Sequence, residues 1–161
     1  MDDAAKKTTL RMIPYGIYIL TADDGKGNVG AATVNWVTQS SFAPPLLVVG
    51  VKADSGAHTV VKGTGKFVLN MLGKDGKGAA FTFFKPAKVE DGKLNGFTYR
   101  LASNGCAVLD IAIGAVECVV KEVLEMGRPQ RGGGRGDGSA PDESPRRSHG
   151  CRDPGDEGPR G

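Results

Sequence analysis

A chain of 161 residues, 39% hydrophobic and 24% charged, suits a single domain with a buried core. The net charge of +3 is too small to argue for nucleic acid, and no stretch nears the roughly 18 continuous apolar residues of a membrane span. Three cysteines (Cys106, Cys118, Cys151) with no C-x-x-C argue against a disulfide framework and suit a reducing cytoplasm; His58 and His149 lie outside any metal-ligand spacing, so no metal site is expected.

The polar stretch Met1–Arg11 lacks the apolar core of a secretory leader. Residues 2–12 predict a short lead-in helix ended by Pro14. Tyr15–Thr21 is β-branched and aromatic and predicts a strand. The turn residues Asp23–Asn28 then connect it to a second strand over 29–37. Thr38–Pro45 reads as a polar loop, and Leu46–Val51 as a buried strand. Ser55 predicts the cap of a helix running to about Gly63. Lys66–Leu72 is a strand with Phe67, Leu69 and Met71 on one face. Gly78–Phe84 predicts a short helix cut off by Pro86, and the polar stretch 85–104 reads mainly as loop. Ile113–Leu124 is a long strand candidate. Five or six strands with short helices predict a mostly β protein with antiparallel neighbours, the pattern of a small barrel. Neither a G-x-G-x-x-G nor a Walker A sequence is present.

Two polar clusters carry candidate chemistry. The first is Thr33 and Asn35 with Thr38, Gln39, Ser40 and Ser41; the second is Lys52-Ala-Asp-Ser-Gly-Ala-His58. Hydroxyls, a lysine and a helix N-terminus at Ser55 suit a phosphate. The competing reading is that these Ser and Thr residues cap turns. Trp36 alternates with Asn35 and reads as core or a dimer contact. Phe81, Phe83 and Phe84 read as core, or as an aromatic wall.

Ile13-Pro-Tyr-Gly-Ile-Tyr-Ile-Leu-Thr21, Ala32-Thr-Val-Asn-Trp-Val-Thr-Gln-Ser-Ser-Phe-Ala-Pro-Pro-Leu46 and Val51-Lys-Ala-Asp-Ser55 resemble the flavin reductase-like family, as do Phe67–Leu72 and Phe83-Phe-Lys85. The resemblance covers about residues 8–126. It implies an FMN-binding split β-barrel with short flanking helices that forms homodimers. It implies FMN as cofactor, with FAD possible, and hydride transfer from NADH or NADPH to flavin. A partner monooxygenase would receive the reduced flavin. Flavin contacts carried over are Asn35, Thr38, Gln39, Ser40, Ser41, Lys52 and Ser55; no catalytic residue is assigned. The alternatives are a flavin-binding module without turnover, or an inactive product of a frameshifted gene.

The last alternative comes from the C-terminal end. Residues 1–126 hold 14 basic and 12 acidic residues, and twelve of the basic ones are Lys. Residues 127–161 hold seven Arg, no Lys, and no Leu, Ile, Val, Phe, Tyr or Trp, a composition that predicts a disordered Gly/Arg/Pro-rich tail. Its Arg-Gly-Gly stretch invites an RNA reading, but the tail has no aromatic residue to stack on bases. A permitted synonymous coding of 127–138, read one base later, spells Gly-Asp-His-Ser-Val-Val-Val-Gly-Glu-Val-Met. That resembles the strand with which the family continues. The expected domain is therefore 1–126, incomplete at its C-terminal end and lacking its last strands.

Overall fold

β1 (Tyr18–Asp23) is the strand around which the molecule is arranged. A computed structural model describes residues 2–125. β1 lies between β2 (Val29–Val34) and β5 (Lys66–Leu72), and β10 (Ala112–Val119) pairs with the far side of β5. All neighbours in this four-stranded sheet are antiparallel.

Alternation along β1 and β5 divides the core into two layers. Leu20, Ala22, Phe67 and Leu69 face one side and pack with Ala57 and Val61 of α2 (Gly56–Thr64). Ile19 faces the other side, where Phe83, Leu94 and Leu109 meet it. Ala79 of α3 (Lys77–Thr82) joins this second cluster. The short strands β6 (Val89–Glu90), β7 (Lys93–Leu94), β8 (Tyr99–Leu101) and β9 (Ala107–Leu109) form two further ladders, β6 with β7 and β8 with β9.

Close packing of α2 on the sheet depends on a missing side chain. A Cβ on Gly30 of β2 would stand 2.8 Å from Ala57 Cα. Gly65 closes α2 with φ of +68°, and its N–H donates to Val61 O at 2.8 Å. Glycine takes that left-handed cap without strain.

Thr21 and Asn70 are fully buried polar residues in the core. Asn70 Nδ2 donates to Ile19 O at 3.1 Å and to Thr21 Oγ1 at 3.2 Å. Its Oδ1 accepts the Leu109 N–H at 2.9 Å, and Thr21 Oγ1 donates to Ala107 O at 2.5 Å. One amide thereby fastens β9 across β5 and β1.

The fold is mostly β with short helices, as the sequence predicts; among the described residues the sheet does not close into a barrel. Several boundaries differ. The stretch 38–45 is not a loop: β3 (Val37–Phe42) pairs antiparallel with β4 (Pro45–Val49). Its Thr and Ser residues accept a strand because that strand is solvated and its apolar partners come from β4. The strand expected over 29–37 breaks at Asn35-Trp36, where the chain leaves one sheet for another. β10 ends at Val119, short of Leu124. The lead-in helix forms as α1 (Asp3–Leu10), capped by the Asp2 carboxylate and without a buried residue. The tail expected over 127–161 lies outside the described residues. No helix among the described residues is long and apolar enough to cross a membrane.

Candidate functional site

The β3–β4 hairpin carries four of the seven predicted site residues. Thr38 lies opposite Val48, Gln39 opposite Leu47 and Ser41 opposite Leu46, with a bulge at Ser40. The extra residue resets the alternation, so Thr38 and Ser41 fall on the same face although they are three apart. Thr38, Gln39 and Ser40 are exposed, and Ser41 is half-buried. Their side chains make only local bonds. Gln39 Nε2 donates to Ser41 O at 3.2 Å and Ser40 Oγ to Leu46 O at 3.5 Å. A ligand can therefore compete for them with little penalty.

The open end of the hairpin brings the remaining residues together. Gly50 N–H donates to Trp36 O at 2.7 Å, which sets exposed Asn35 beside the segment entering Lys52. Trp36 is neither core nor buried: it is 60% exposed and its Cβ would lie 3.0 Å from a Cβ on Gly50. Ser55 Oγ donates to Lys52 O at 2.6 Å and accepts the His58 N–H at 3.1 Å, capping α2. Ser55 is thus a helix cap, as the competing reading has it. The side chain is a cap, and the cap leaves the first N–H groups of α2 pointing outward at a partial positive charge. Lys52 Nζ lies 3.1 Å from Asp54 Oδ1, an exposed pair that is weak and exchangeable.

These residues form a strip and not a closed pocket. Ser41 pairs with Leu46, and the chain from there to Lys52 covers roughly 20 Å at extended-strand spacing. A concavity of about 1030 Å³ lies elsewhere. It is lined by Asp24, Lys26, Asn28, Thr59, Thr64 and Lys66 among others, and includes none of the seven. It is a wide groove beside a surface turn, and the strip has the better-matched chemistry. Among the described residues no three His, Cys, Asp or Glu side chains gather as a metal would require.

The three phenylalanines read from the sequence as core or as an aromatic wall separate in the structure. Phe83 is core, but Phe81 and Phe84 are 69% and 68% exposed, edge to face with centroids 6.0 Å apart. Thr33 holds them there. Its Oγ1 donates to Ala80 O at 2.6 Å and its N–H to Phe83 O at 3.3 Å, clamping α3 to β2 two residues before Asn35. The signal was present. Ala79, Ala80 and Phe83 mark the inner face of α3 at helical spacing, which leaves Phe81 and Phe84 on the other.

Comparison with known proteins covers most of the described chain. A family model described as "Flavin reductase like domain" matches residues 10–130. The flavin reductase of Pseudomonas putida is 27% identical over 121 residues, covering 75% of this chain and 69% of that protein. Diflavin flavoprotein A 1 of Synechocystis sp. is 31% identical over 124 residues, 76% of this chain and 22% of the relative. The styrene monooxygenase flavin reductase from Pseudomonas putida S12 superimposes with a TM-score of 0.64 at 25% identity, covering 75% of this chain and 76% of that one. Of three other curated relatives the chain spans 40%, 20% and 19% of the length.

Proposed function

The chain belongs to the flavin reductase-like family, and from that premise we propose that it binds FMN along the hairpin strip and reduces it with NADH or NADPH. The observation that carries this reading is the strip itself: exposed hydroxyl and amide groups on β3 that lead to a lysine and a capped helix N-terminus. In this assignment Lys52 and the first N–H groups of α2 hold the phosphate. Thr38, Ser40 and Ser41 supply hydroxyls to the polar chain, and Asn35 and Gln39 supply amides to the ring edge. Phe81 and Phe84 offer an apolar wall to an aromatic ring. Flavin, when bound, supplies the hydride chemistry, so the residues of this chain need only bind it and orient it.

An open strip of this length covers one side of a flavin, and a second copy would cover the other. That supports a homodimer with the hairpins at or near its interface, where the exposed Trp36, Phe42 and Val48 would be buried. The domain is taken as residues 1–126, with 127–161 a separate tail. A partner monooxygenase receiving reduced flavin, and a cytoplasmic setting, complete the proposal.

The test is direct. Purified protein is titrated with FMN and with FAD while flavin fluorescence is followed, and oxidation of NADH and NADPH is then measured with each flavin. Quenching with flavin-dependent oxidation is expected, stronger with FMN. Quenching without oxidation would reduce the reading to a flavin-binding module. Neither signal would refute it.

A further inference from the structure

β10 stands at the end of its sheet, and its outer edge pairs with no strand among the described residues. The usual guards of such an edge are sparse. Ala112–Val119 contains no Pro and no Lys, and Glu117 is its only charge. A bulge at Ile113 disturbs one end, after which six residues, Gly114–Val119, run in regular register with β5. Open edges of this kind invite another strand. Ile113 and Val119 are 76% and 69% exposed. Residues 127–161 contain no Leu, Ile, Val, Phe, Tyr or Trp with which to match them.

We infer that two copies of this chain join edge to edge along β10, antiparallel about a twofold axis at Val116. In that register Ile113 of each copy faces Val119 of the other, so the two exposed apolar side chains cover each other twice. Gly114 then faces Cys118 and Ala115 faces Glu117. Moving the axis to Glu117 would set two carboxylates directly opposite, and moving it to Ala115 would set Ile113 against Glu117; both are poor pairs. At the Val116 register Glu117 meets no like charge directly. Its carboxylate is also held within its own copy by Ser103 Oγ at 2.6 Å and the Asn104 N–H at 3.0 Å. The short contact makes association concentration-dependent. It does not depend on flavin and is separate from a dimer formed through the hairpins.

A register-specific cross-link tests this. Val116→Cys is made in the full chain with Cys118→Ser and Cys151→Ser, leaving buried Cys106 in place. Directly opposed residues stand about 4.5–5.5 Å apart, within disulfide range. Under mild copper–phenanthroline oxidation, Val116→Cys should form covalent dimer at least tenfold faster than Glu90→Cys on exposed β6. Adding Val119→Lys should abolish that advantage. If Val116→Cys does not fold, a mixture of Ile113→Cys and Val119→Cys chains, both at exposed positions, should cross-link to each other at the same rate. A dimer through another surface leaves these positions apart. Cross-linking no faster than Glu90→Cys, or unaffected by Val119→Lys, would overturn the inference.

Discussion

Replacing Asn70 by Leu should destabilise the domain by about 2–5 kcal/mol. Leucine nearly matches asparagine in shape, so the loss is mostly polar. The Leu109 N–H, bonded at 2.9 Å, would be left in a residue only 1% exposed. An orphaned buried donor costs roughly 1–3 kcal/mol, and each ordinary hydrogen bond lost costs about 1. The bonds to Ile19 O at 3.1 Å and Thr21 Oγ1 at 3.2 Å disappear with it. Ala107 O keeps its bond from Thr21, which limits the damage. At about 3–4 °C per kcal/mol for a domain of this size, the melting point should fall by roughly 6–20 °C. Urea melts followed by far-UV circular dichroism give the stability, and hydrogen exchange at Leu109 gives the location. Thr21→Val shares the acceptor Ala107 O, so the double variant should be non-additive by about 0.5 kcal/mol or more. A loss under 1 kcal/mol with unchanged Leu109 exchange would refute the claim that this amide ties β9 to the sheet.

Gly30→Ala should cost about 1–3 kcal/mol in denaturant melts, because its Cβ would meet Ala57 Cα at 2.8 Å, and backbone gives way poorly. Ser55→Ala removes the cap bond to His58 N–H and should lower stability by about 1 kcal/mol while weakening FMN severalfold in the quenching titration. Hydrogen bonds from Ser103, then from the Asn104 N–H, hold the Glu117 carboxyl below the ordinary glutamate range. A lowered folded pKa means stability that is present above the unfolded value, near 4.3, and lost as pH falls through the folded value. Melting points of Glu117→Gln across that acid window should therefore change less with pH than those of the parent.

The strand pattern was legible where both faces of a strand are buried. β1 and β5 are runs of β-branched and apolar residues whose alternation already separates Leu69 from Val68. Helix α2 was legible from Ser55 as its cap, with an end expected near Gly63 and found at Thr64. The hairpin was not. Thr38–Ser41 carry turn-forming residues, and nothing local says that Leu46–Val49 lie across from them. Spacing alone could not tell that the bulge at Ser40 turns Thr38 and Ser41 to one face.

What the sequence determined by itself was local: the alternation that sets the two core layers, the N-terminal cap of α2, and the change of composition after Met126. Those depend on neighbours within a few residues, where side-chain chemistry and backbone preference act directly. Tertiary structure decided the rest. It turned a buried asparagine into the clasp of three strands, left Phe81 and Phe84 exposed while burying Phe83, and left the outer edge of β10 without a partner strand among the described residues. Each is a matter of what lies opposite, and partners tens of residues away in the chain leave no periodic trace near the residues they meet.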